Sequence, residues 1–488
     1  MADPFIAIQI GAVSFVDEGV NGTLDTLQER GAVNALFLAT PTWTRGTGGR
    51  QVPGHPLPDH GTQEYDHDWV GGNYAEVHPQ FYGNTVLGSV GRAPEHPDWD
   101  FLEAVVPEAK SRGMHSYAWM EESGYAQALR NYPNFPKVLE VDVWGRPTTR
   151  PCFNNPDYRN WHLGIVEDYV KNYDLDGLAW CSERPGPLNL AIQGPITPGL
   201  LSCFCPHCKA IAAERGIDSR RAVEGYRKLL EWNQAVSSDQ KPADGAFVTF
   251  WRLLLQYPEI LAWQTLWTDS QRQIYRDIYG VAKACKSTIE VGWHVYHDIS
   301  FSPFYRADQD YAELSKLSDF IKVVSYNNCA GPRFHTWMGK ICNSLFADAT
   351  PEETYPLMLK LLQLDEGSYA DLPQTGFTAE YVRRETVRAL SSVGPDTKIY
   401  PGIDIDIPVG RVDAAVNDRR KRSEAASGIN ADTTDGADLT HCTPEGVKAA
   451  VLAAFEGGAQ GVVLSRKYSE MKLENLGGAG DAVRELRR

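Results

Sequence analysis

The stretch Asp174-Leu-Asp-Gly-Leu-Ala-Trp-Cys-Ser-Glu183-Arg-Pro-Gly186 places a carboxylate just after a short apolar run. The run, Leu178 to Cys181, predicts a buried strand, and the amphipathic segment from Asn160 to Tyr173 predicts a helix before it. In α/β barrels, catalytic groups lie where the strands end and the following loops begin. Glu183 is therefore the first candidate for a catalytic residue. The alternative is a surface carboxylate paired with Arg184.

Seven further runs of strand length alternate with helical patterns along the chain. Together with the run from Leu178 to Cys181, they predict eight strands, which begin near residues 5, 33, 115, 176, 289, 320, 399 and 461. Strands and helices that alternate without turn-linked hairpins indicate a parallel sheet, and eight such units indicate an α/β fold, the (β/α)8 TIM barrel. A doubly wound sheet is disfavoured because no Gly-x-Gly-x-x-Gly follows the first strand. We expect one barrel domain over residues 1–488, with insertions in the βα loops at about 41–98, 123–158 and 184–245.

Composition and charge limit the kinds of partner that the chain is expected to bind. The chain has 47 Lys and Arg against 63 Asp and Glu, a formal net charge of -16. Nucleic acid is therefore not expected as a partner, because its phosphates require a basic surface. No apolar run approaches the ~20 residues that cross a bilayer, so no membrane partner is expected. The start, Met-Ala-Asp-Pro-Phe, shows no signal peptide, which favours a cytoplasmic protein over a secreted one with a trimmed leader. The sequence leaves open whether the chain forms a homo-oligomer.

A second strand end supplies acidic partners for Glu183. In the seventh strand, alternation puts Asp404 and Asp406 on one face and the isoleucines on the other. Glycoside hydrolysis uses two carboxyl groups across the scissile bond, and Glu183 with Asp404, the preferred partner, or Asp406 would face each other at the barrel mouth. Burial is expected to raise the pKa of the acid. The alternative for the aspartates is a structural ion pair with Lys322 or Arg466.

Polar and aromatic residues in or after other strands are candidates for binding a sugar. Glu122 follows the third strand, His294 and His297 lie at the end of the fifth, and Tyr326 ends the sixth. Imidazoles at a barrel mouth can hydrogen-bond sugar hydroxyls or ligate a metal, and a satisfied core histidine is the alternative for His294. Trp119, within the third strand, is a candidate platform for a sugar ring, with core packing as its alternative.

The segment Cys203-Phe-Cys205-Pro-His-Cys208 is the most specific local motif. Three thiolates in one loop supply most of a tetrahedral zinc site. The fourth ligand must come from elsewhere, with Cys152 as the best candidate and Cys181 or His207 as alternatives. A zinc ion with four protein ligands is structural, and this one would tie the loop after the third strand to the loop after the fourth, next to Glu183. The alternative is a group of reduced thiols without metal.

Two stretches resemble a known family. Arg150-Pro-Cys152-Phe-Asn-Asn-Pro-Asp-Tyr-Arg159 and the cysteine motif, on either side of the strand that leads to Glu183, resemble the catalytic barrel of family 42 β-galactosidases. The resemblance implies that Glu183 is the acid/base. It also implies zinc ligands, which would be Cys152, Cys203, Cys205 and Cys208. Two positions depart from the family: Ser182 replaces an Asn, and Asp404 or Asp406 stands where a Glu nucleophile is expected.

The whole chain also resembles uncharacterised barrel proteins regarded as hypothetical glycosyl hydrolases, through Gly72-Asn-Tyr-Ala-Glu-Val-His78, Gly292-Trp-His-Val-Tyr-His297 and Ser465-Arg466-Lys-Tyr468. Further candidates for contacts with substrate are Asn73, His78, Arg184 and Arg466. We therefore expect a glycosidase that acts on a small-molecule or oligosaccharide substrate. The alternatives are a metal-dependent sugar isomerase, epimerase or lyase on the same barrel, and a carbohydrate-binding barrel without catalysis.

Overall fold

The computed structural model describes residues 4–43, 47–49, 59–61, 69–122, 132–196, 198–296, 298–405, 442–465 and 468–488. The strands in these ranges are β1 (Phe5–Gly11), β2 (Ala35–Ala39), β3 (His115–Glu121), β4 (Leu139–Val141), β5 (Pro147–Pro151), β6 (Gly177–Cys181), β7 (Glu290–Val295), β8 (Phe320–Val324), β9 (Lys398–Asp404) and β10 (Gly461–Ser465). All strands except β4 and β5 close into one parallel barrel, in the order β1-β10-β9-β8-β7-β6-β3-β2. The predicted (β/α)8 TIM barrel is confirmed.

β4 and β5 form an antiparallel pair inside the second predicted insertion. The expectation of a chain without hairpins is therefore wrong. The connecting turn depends on Asp142, whose Oδ1 accepts hydrogen bonds from the backbone N–H groups of Trp144 and Arg146, both at 2.9 Å. Gly145 completes the turn with a φ of 82°, a conformation that costs glycine little.

The helices follow the strands or lie in the connecting loops. They are α1 (Ala12–Glu18), α2 (Val20–Gly31), α3 (Phe101–Ser111), α4 (Pro156–Asn172), α5 (Pro187–Ile192), α6 (Pro206–Glu214), α7 (Ser219–Ser237), α8 (Ala246–Gln256), α9 (Glu259–Cys285), α10 (Asp298–Phe301), α11 (Pro303–Asp308), α12 (Tyr311–Ser315), α13 (Asn327–Ile341), α14 (Pro351–Leu362), α15 (Leu372–Thr375), α16 (Ala379–Ser392), α17 (Pro444–Glu456) and α18 (Leu473–Leu486). Local sequence explains where α4 begins: Asn155 caps its first N–H groups and Pro156 takes the first helical position. In the part of the chain that the structure describes, no helix combines the length and apolarity needed to cross a bilayer.

Aromatic side chains fill the barrel near the starts of the strands: Phe5, Phe37, Tyr117, Phe320 and Tyr400. The rings of Phe37 and Tyr117 stack with centroids 4.8 Å apart, and Phe320 meets Phe37 edge-on. Gly292 makes room for this packing, because a Cβ there would lie 2.3 Å from the ring of Phe320. The aromatic layer closes one end of the barrel, which leaves the carboxyl ends of the strands to carry polar groups.

Candidate active site

Polar side chains take the inward positions near the carboxyl ends of the barrel strands: Glu121, Cys181, His294, Lys322 and Asp404. Cys181 and His294 are direct partners in the register of β6 and β7. Asp404 shares a strand face with Tyr400, whose ring belongs to the barrel interior. Glu183 follows Cys181 by two positions, and its carboxyl group contacts the inward-facing His294. The barrel therefore directs acidic and basic groups towards one mouth.

Glu183 stands just beyond the end of β6, before α5 begins. Its side chain is 38% exposed, and its Oε1 lies 2.6 Å from Nε2 of His294. The carboxyl group is therefore accessible to a ligand. The expectation of a buried acid is wrong for the free protein, because β6 has already ended where the chain reaches Glu183.

His294 is the partner of Glu183 and lies inside the barrel. It is buried, and its ring packs edge-on against Trp119 with centroids 5.1 Å apart. Burial lowers the pKa of His294, the hydrogen bond with Glu183 opposes this shift, and the positive charge of Lys322 adds to it. The imidazole is therefore neutral at pH 7. A neutral imidazole can donate to a carboxylate or accept from a protonated carboxyl group, so one proton is shared across the contact.

Lys322 is a buried cation, whereas the sequence pattern indicates only an ion-pair partner of the aspartates. It is 0% exposed, and its Nζ donates to Oε1 of Gln9 at 3.0 Å and to the hydroxyl of Tyr326 at 2.9 Å. The ammonium group lies 4.5 Å from the ring centroid of Trp119. A single Lys within the apolar strand was the available signal, because a buried ammonium group requires polar partners. Trp119 and Tyr326 are thus gathered around one fixed charge.

Asp404 ends β9 and faces the start of α13. Its Oδ2 accepts a hydrogen bond from the backbone N–H of Cys329 at 3.0 Å, and its Oδ1 accepts from that of Asn328 at 3.4 Å. Amide groups at a helix N-terminus stabilise negative charge, so α13 supports Asp404 in its ionised form. Three further predicted site residues lie outside the described residues: Asp406, His297 and Arg466.

Arg184 belongs to a buried ion network next to Glu183. Its Nη2 lies 2.6 Å from Oε1 of Glu122, and its Nη1 lies 3.3 Å from Oε1 of Glu140. The interpretation of Arg184 as a surface partner of Glu183 is therefore wrong. Burial raises the pKa of Glu122, while Arg184 and the hydroxyl of Ser182 act to lower it. Glu122 and Arg184, both proposed from sequence as substrate contacts, are buried against each other.

Two other predicted contacts, Asn73 and His78, bind the helix α4. Asn73 is fully buried, and its side chain accepts a hydrogen bond from the hydroxyl of Tyr169. Nδ1 of His78 lies 2.7 Å from Oδ1 of Asp168, a residue of the same helix. Both side chains thus hold the segment that precedes α3 against α4.

Four buried cysteines meet beside the β4–β5 hairpin: Cys152, Cys203, Cys205 and Cys208. Their sulfur atoms lie within 4.8 Å of one another, and Sγ of Cys152 is 3.5 Å from those of Cys205 and Cys208. Around a tetrahedral ion with metal–sulfur bonds of ~2.3 Å, the sulfur atoms would be about 3.8 Å apart. The cluster could therefore bind a metal ion. The alternative fourth ligands do not join this cluster. Cys181 lies close to Glu183 and His294 instead, and His207 is in neither of these two clusters of possible ligands among the described residues.

No protein-family model matches the sequence, and no curated protein matches it. Among solved structures, the β-galactosidase of the Antarctic haloarchaeon Halorubrum lacusprofundi is 13% identical with a TM-score of 0.50, and the match covers 99% of this chain and 58% of that protein. The PgaB (BpsB) glycoside hydrolase domain of Bordetella bronchiseptica is 12% identical with a TM-score of 0.46, covering 99% and 98%. Isoenzyme 2 of the α-L-fucosidase of Paenibacillus thiaminolyticus is 11% identical with a TM-score of 0.46, covering 100% of this chain and 49% of the fucosidase. The likeness to the β-galactosidase shows a shared barrel fold.

Proposed function

We propose that the chain is a glycoside hydrolase with Glu183 as general acid/base and Asp404 as the second carboxylate. The observation that carries the proposal is the exposed carboxyl group of Glu183, bonded to the buried imidazole of His294, on the barrel end at which Asp404 lies buried. Glycosidases need two carboxyl groups in different protonation states. α13 supports a charge on Asp404, and the neutral imidazole of His294 can accept the proton of Glu183 whenever that carboxyl group is protonated.

In the proposed reaction, Glu183 donates its proton to the glycosidic oxygen as the bond to the leaving group breaks. His294 keeps the carboxyl group oriented through the contact between Nε2 and Oε1. Asp404 faces the positive charge that develops at the anomeric carbon, and either attacks that carbon or activates a water molecule. A carboxyl separation of ~5–5.5 Å corresponds to retention of configuration, and one of ~6.5–9.5 Å to inversion.

The proposed substrate is a carbohydrate glycoside. The exposed carboxyl group of Glu183 at the barrel mouth is the group that a sugar can reach. Trp119 and Tyr326 are buried around Lys322 beneath it, so they form the floor of the site. The similar β-galactosidase is consistent with this class of reaction. One fold hosts many functions, so the carboxyl groups support the assignment and the fold alone does not.

We further propose that the four-cysteine cluster holds one structural zinc ion. Four thiolates complete a tetrahedral shell, so no position remains for water or substrate. The ion would join Cys152, which follows β5, to the start of α6 at Cys208. Metal analysis of the purified protein tests this, and absence of zinc would refute it.

The experiment for the proposed reaction compares leaving groups. For the sugar that the wild type cleaves, Glu183→Gln should lower kcat by about 10²–10⁴-fold with a poor leaving group, and much less with a dinitrophenyl group, which departs without protonation. Asp404→Asn should lose activity equally with both. Glu313→Gln, at an exposed carboxylate on α12, is the control and should keep wild-type kinetics. Wild-type turnover in both Glu183→Gln and Asp404→Asn would refute the assignment. Sugar binding without turnover by the wild type would indicate a binding barrel.

A metal-dependent sugar isomerase, epimerase or lyase remains the second candidate. It is favoured by one observation, the proximity of a carboxylate and an imidazole at Glu183 and His294 in the barrel mouth. Such an enzyme would lose its turnover when the metal is removed by a chelator. Glycoside hydrolysis that is insensitive to chelation would exclude it.

A further inference from the structure

We propose that Cys181, Glu183 and His294 form a second metal site, for a thiophilic divalent cation such as Zn2+ or Cd2+, and that its occupation inhibits the enzyme. The inhibition rests on the proposed function, because Glu183 would serve both as a metal ligand and as the general acid. The metal binding itself does not rest on the proposed function, because it depends only on the positions of the three donor atoms.

The barrel register brings the three donors together. Cys181 and His294 are paired on β6 and β7, so their side chains enter the barrel at the same level. Glu183 lies two positions after Cys181, just beyond the end of β6, and its Oε1 lies 2.6 Å from Nε2 of His294. One ligand atom from each residue lies within 4.8 Å of the other two. Donors ~2.0–2.3 Å from a tetrahedral zinc ion are about 3.3–3.8 Å apart, so small side-chain rotations would complete the site.

The chemistry of the donors selects the ion. Thiolate, imidazole and carboxylate are the zinc ligands of proteins, and three of them leave a fourth position for water. Sulfur and nitrogen donors disfavour Mg2+ and Ca2+, which take oxygen ligands. Cys181 and His294 are buried, while Glu183 is 38% exposed, so an ion can enter from the barrel mouth. Lys322 is paired with His294 in the register, and its charge opposes a cation, which sets the affinity below that of the four-cysteine cluster.

Occupation would remove Glu183 from catalysis. When the ion binds, the protons of the Cys181 thiol and of a protonated Glu183 pass to solvent, and their lone pairs go to the metal. A metal-bound carboxylate cannot donate a proton to the glycosidic oxygen. His294 would also exchange its contact with Glu183 for the ion. The inhibition should therefore be reversed by a chelator.

The test is a Cd2+ titration of the full chain loaded with one zinc ion per chain. The four-cysteine cluster, as the tighter site, takes up this ion, so that it contributes equally to every sample and the second site stays open to Cd2+. Thiolate-to-metal charge-transfer absorption and glycosidase activity are followed together in the wild type and in two variants. Cys181→Ser removes the proposed ligand. Cys285→Ser, at the end of α9, is the matched control. Cys181→Ala repeats the test if serine at this buried position lowers stability.

The wild type and Cys285→Ser should show the same additional absorption band and the same loss of activity, both reversed by chelation. In Cys181→Ser the Kd for Cd2+ should rise about 100-fold or more, because loss of even an outer-shell partner costs about 10–100-fold. Equal Cd2+ binding in Cys181→Ser and the wild type would overturn the site. Binding that depends on Cys181 in a chain that cleaves no glycoside would support the site and refute the proposed function. Turnover that requires the ion would overturn the inhibitory role.

Discussion

Replacing Arg184 with methionine should lower the free energy of unfolding by about 3–5 kcal/mol, the cost of breaking a buried ion pair by removing one partner. Arg184 and Glu122 are 6% and 8% exposed, and Glu140 is 1% exposed. Glu140 keeps a second cation, because Nε of Arg150 lies 3.2 Å from its Oε2. Glu122 would keep the hydrogen bond that its Oε2 accepts from the hydroxyl of Ser182, at 2.6 Å. The loss should therefore come mainly from Glu122, which must either keep a buried charge without its cation or take up a proton.

Urea denaturation followed by tryptophan fluorescence measures this loss. The double variant Arg184→Met with Glu122→Gln should recover most of the stability, because replacing both members of a buried pair is often nearly neutral. Arg220→Met, at an arginine whose side chain is 94% exposed, is the control and should change the free energy by less than about 0.5 kcal/mol. A loss below ~1 kcal/mol in Arg184→Met would contradict the reasoning, since exposed ion pairs already contribute that much. A double variant that is no more stable than Arg184→Met would contradict the reasoning as well.

Two further predictions concern pH and metal. Burial lowers the pKa of His162 to about 3. As the pH falls, the imidazole therefore takes up a proton in the unfolded chain before it does so in the folded protein. The contribution to stability is complete above the unfolded pKa of ~6.5, and the free energy of unfolding should drop by about 2 kcal/mol between pH 7 and pH 5. His162→Phe keeps the aromatic packing and should lose this part of the pH dependence in urea unfolding; an unchanged dependence would refute the assignment. Cys208→Ser should lower both the zinc content and the Tm, and a variant that retains zinc at the wild-type level would exclude Cys208 as a ligand.

The sequence predicted the barrel because its strands are buried on both faces and appear as short apolar runs between helical patterns. All eight predicted strands of the barrel are present, with their bounds shifted by a few residues. The hairpin of β4 and β5 was missed because its strands are short and polar, as in Pro147-Thr-Thr-Arg-Pro151. Only the turn residues Asp142 and Gly145 mark it in the sequence, and both lie inside the insertion expected over residues 123–158.

The candidate site was predictable where it depends on one strand. Alternation along β9 predicts the inward position of Asp404, and in the structure Asp404 is buried and shares a strand face with Tyr400 of the barrel interior. The contact between Glu183 and His294 was not predictable, because it joins residues 111 positions apart and requires the register of β6 against β7. The same holds for Arg184, whose partners come from segments far from it in sequence. Local periodicity carries no information about such pairings.

A crystal structure of the Glu183→Gln protein with an uncleaved glycoside tests the central claim most directly. The amide at position 183 should lie within about 2.6–3.2 Å of the glycosidic oxygen. The carboxylate of Asp404 should lie ~3–3.5 Å from the anomeric carbon, or should hold a water molecule against it. A sugar ring bound in the barrel mouth with only one of these two side chains in reach, or with neither, would contradict the account.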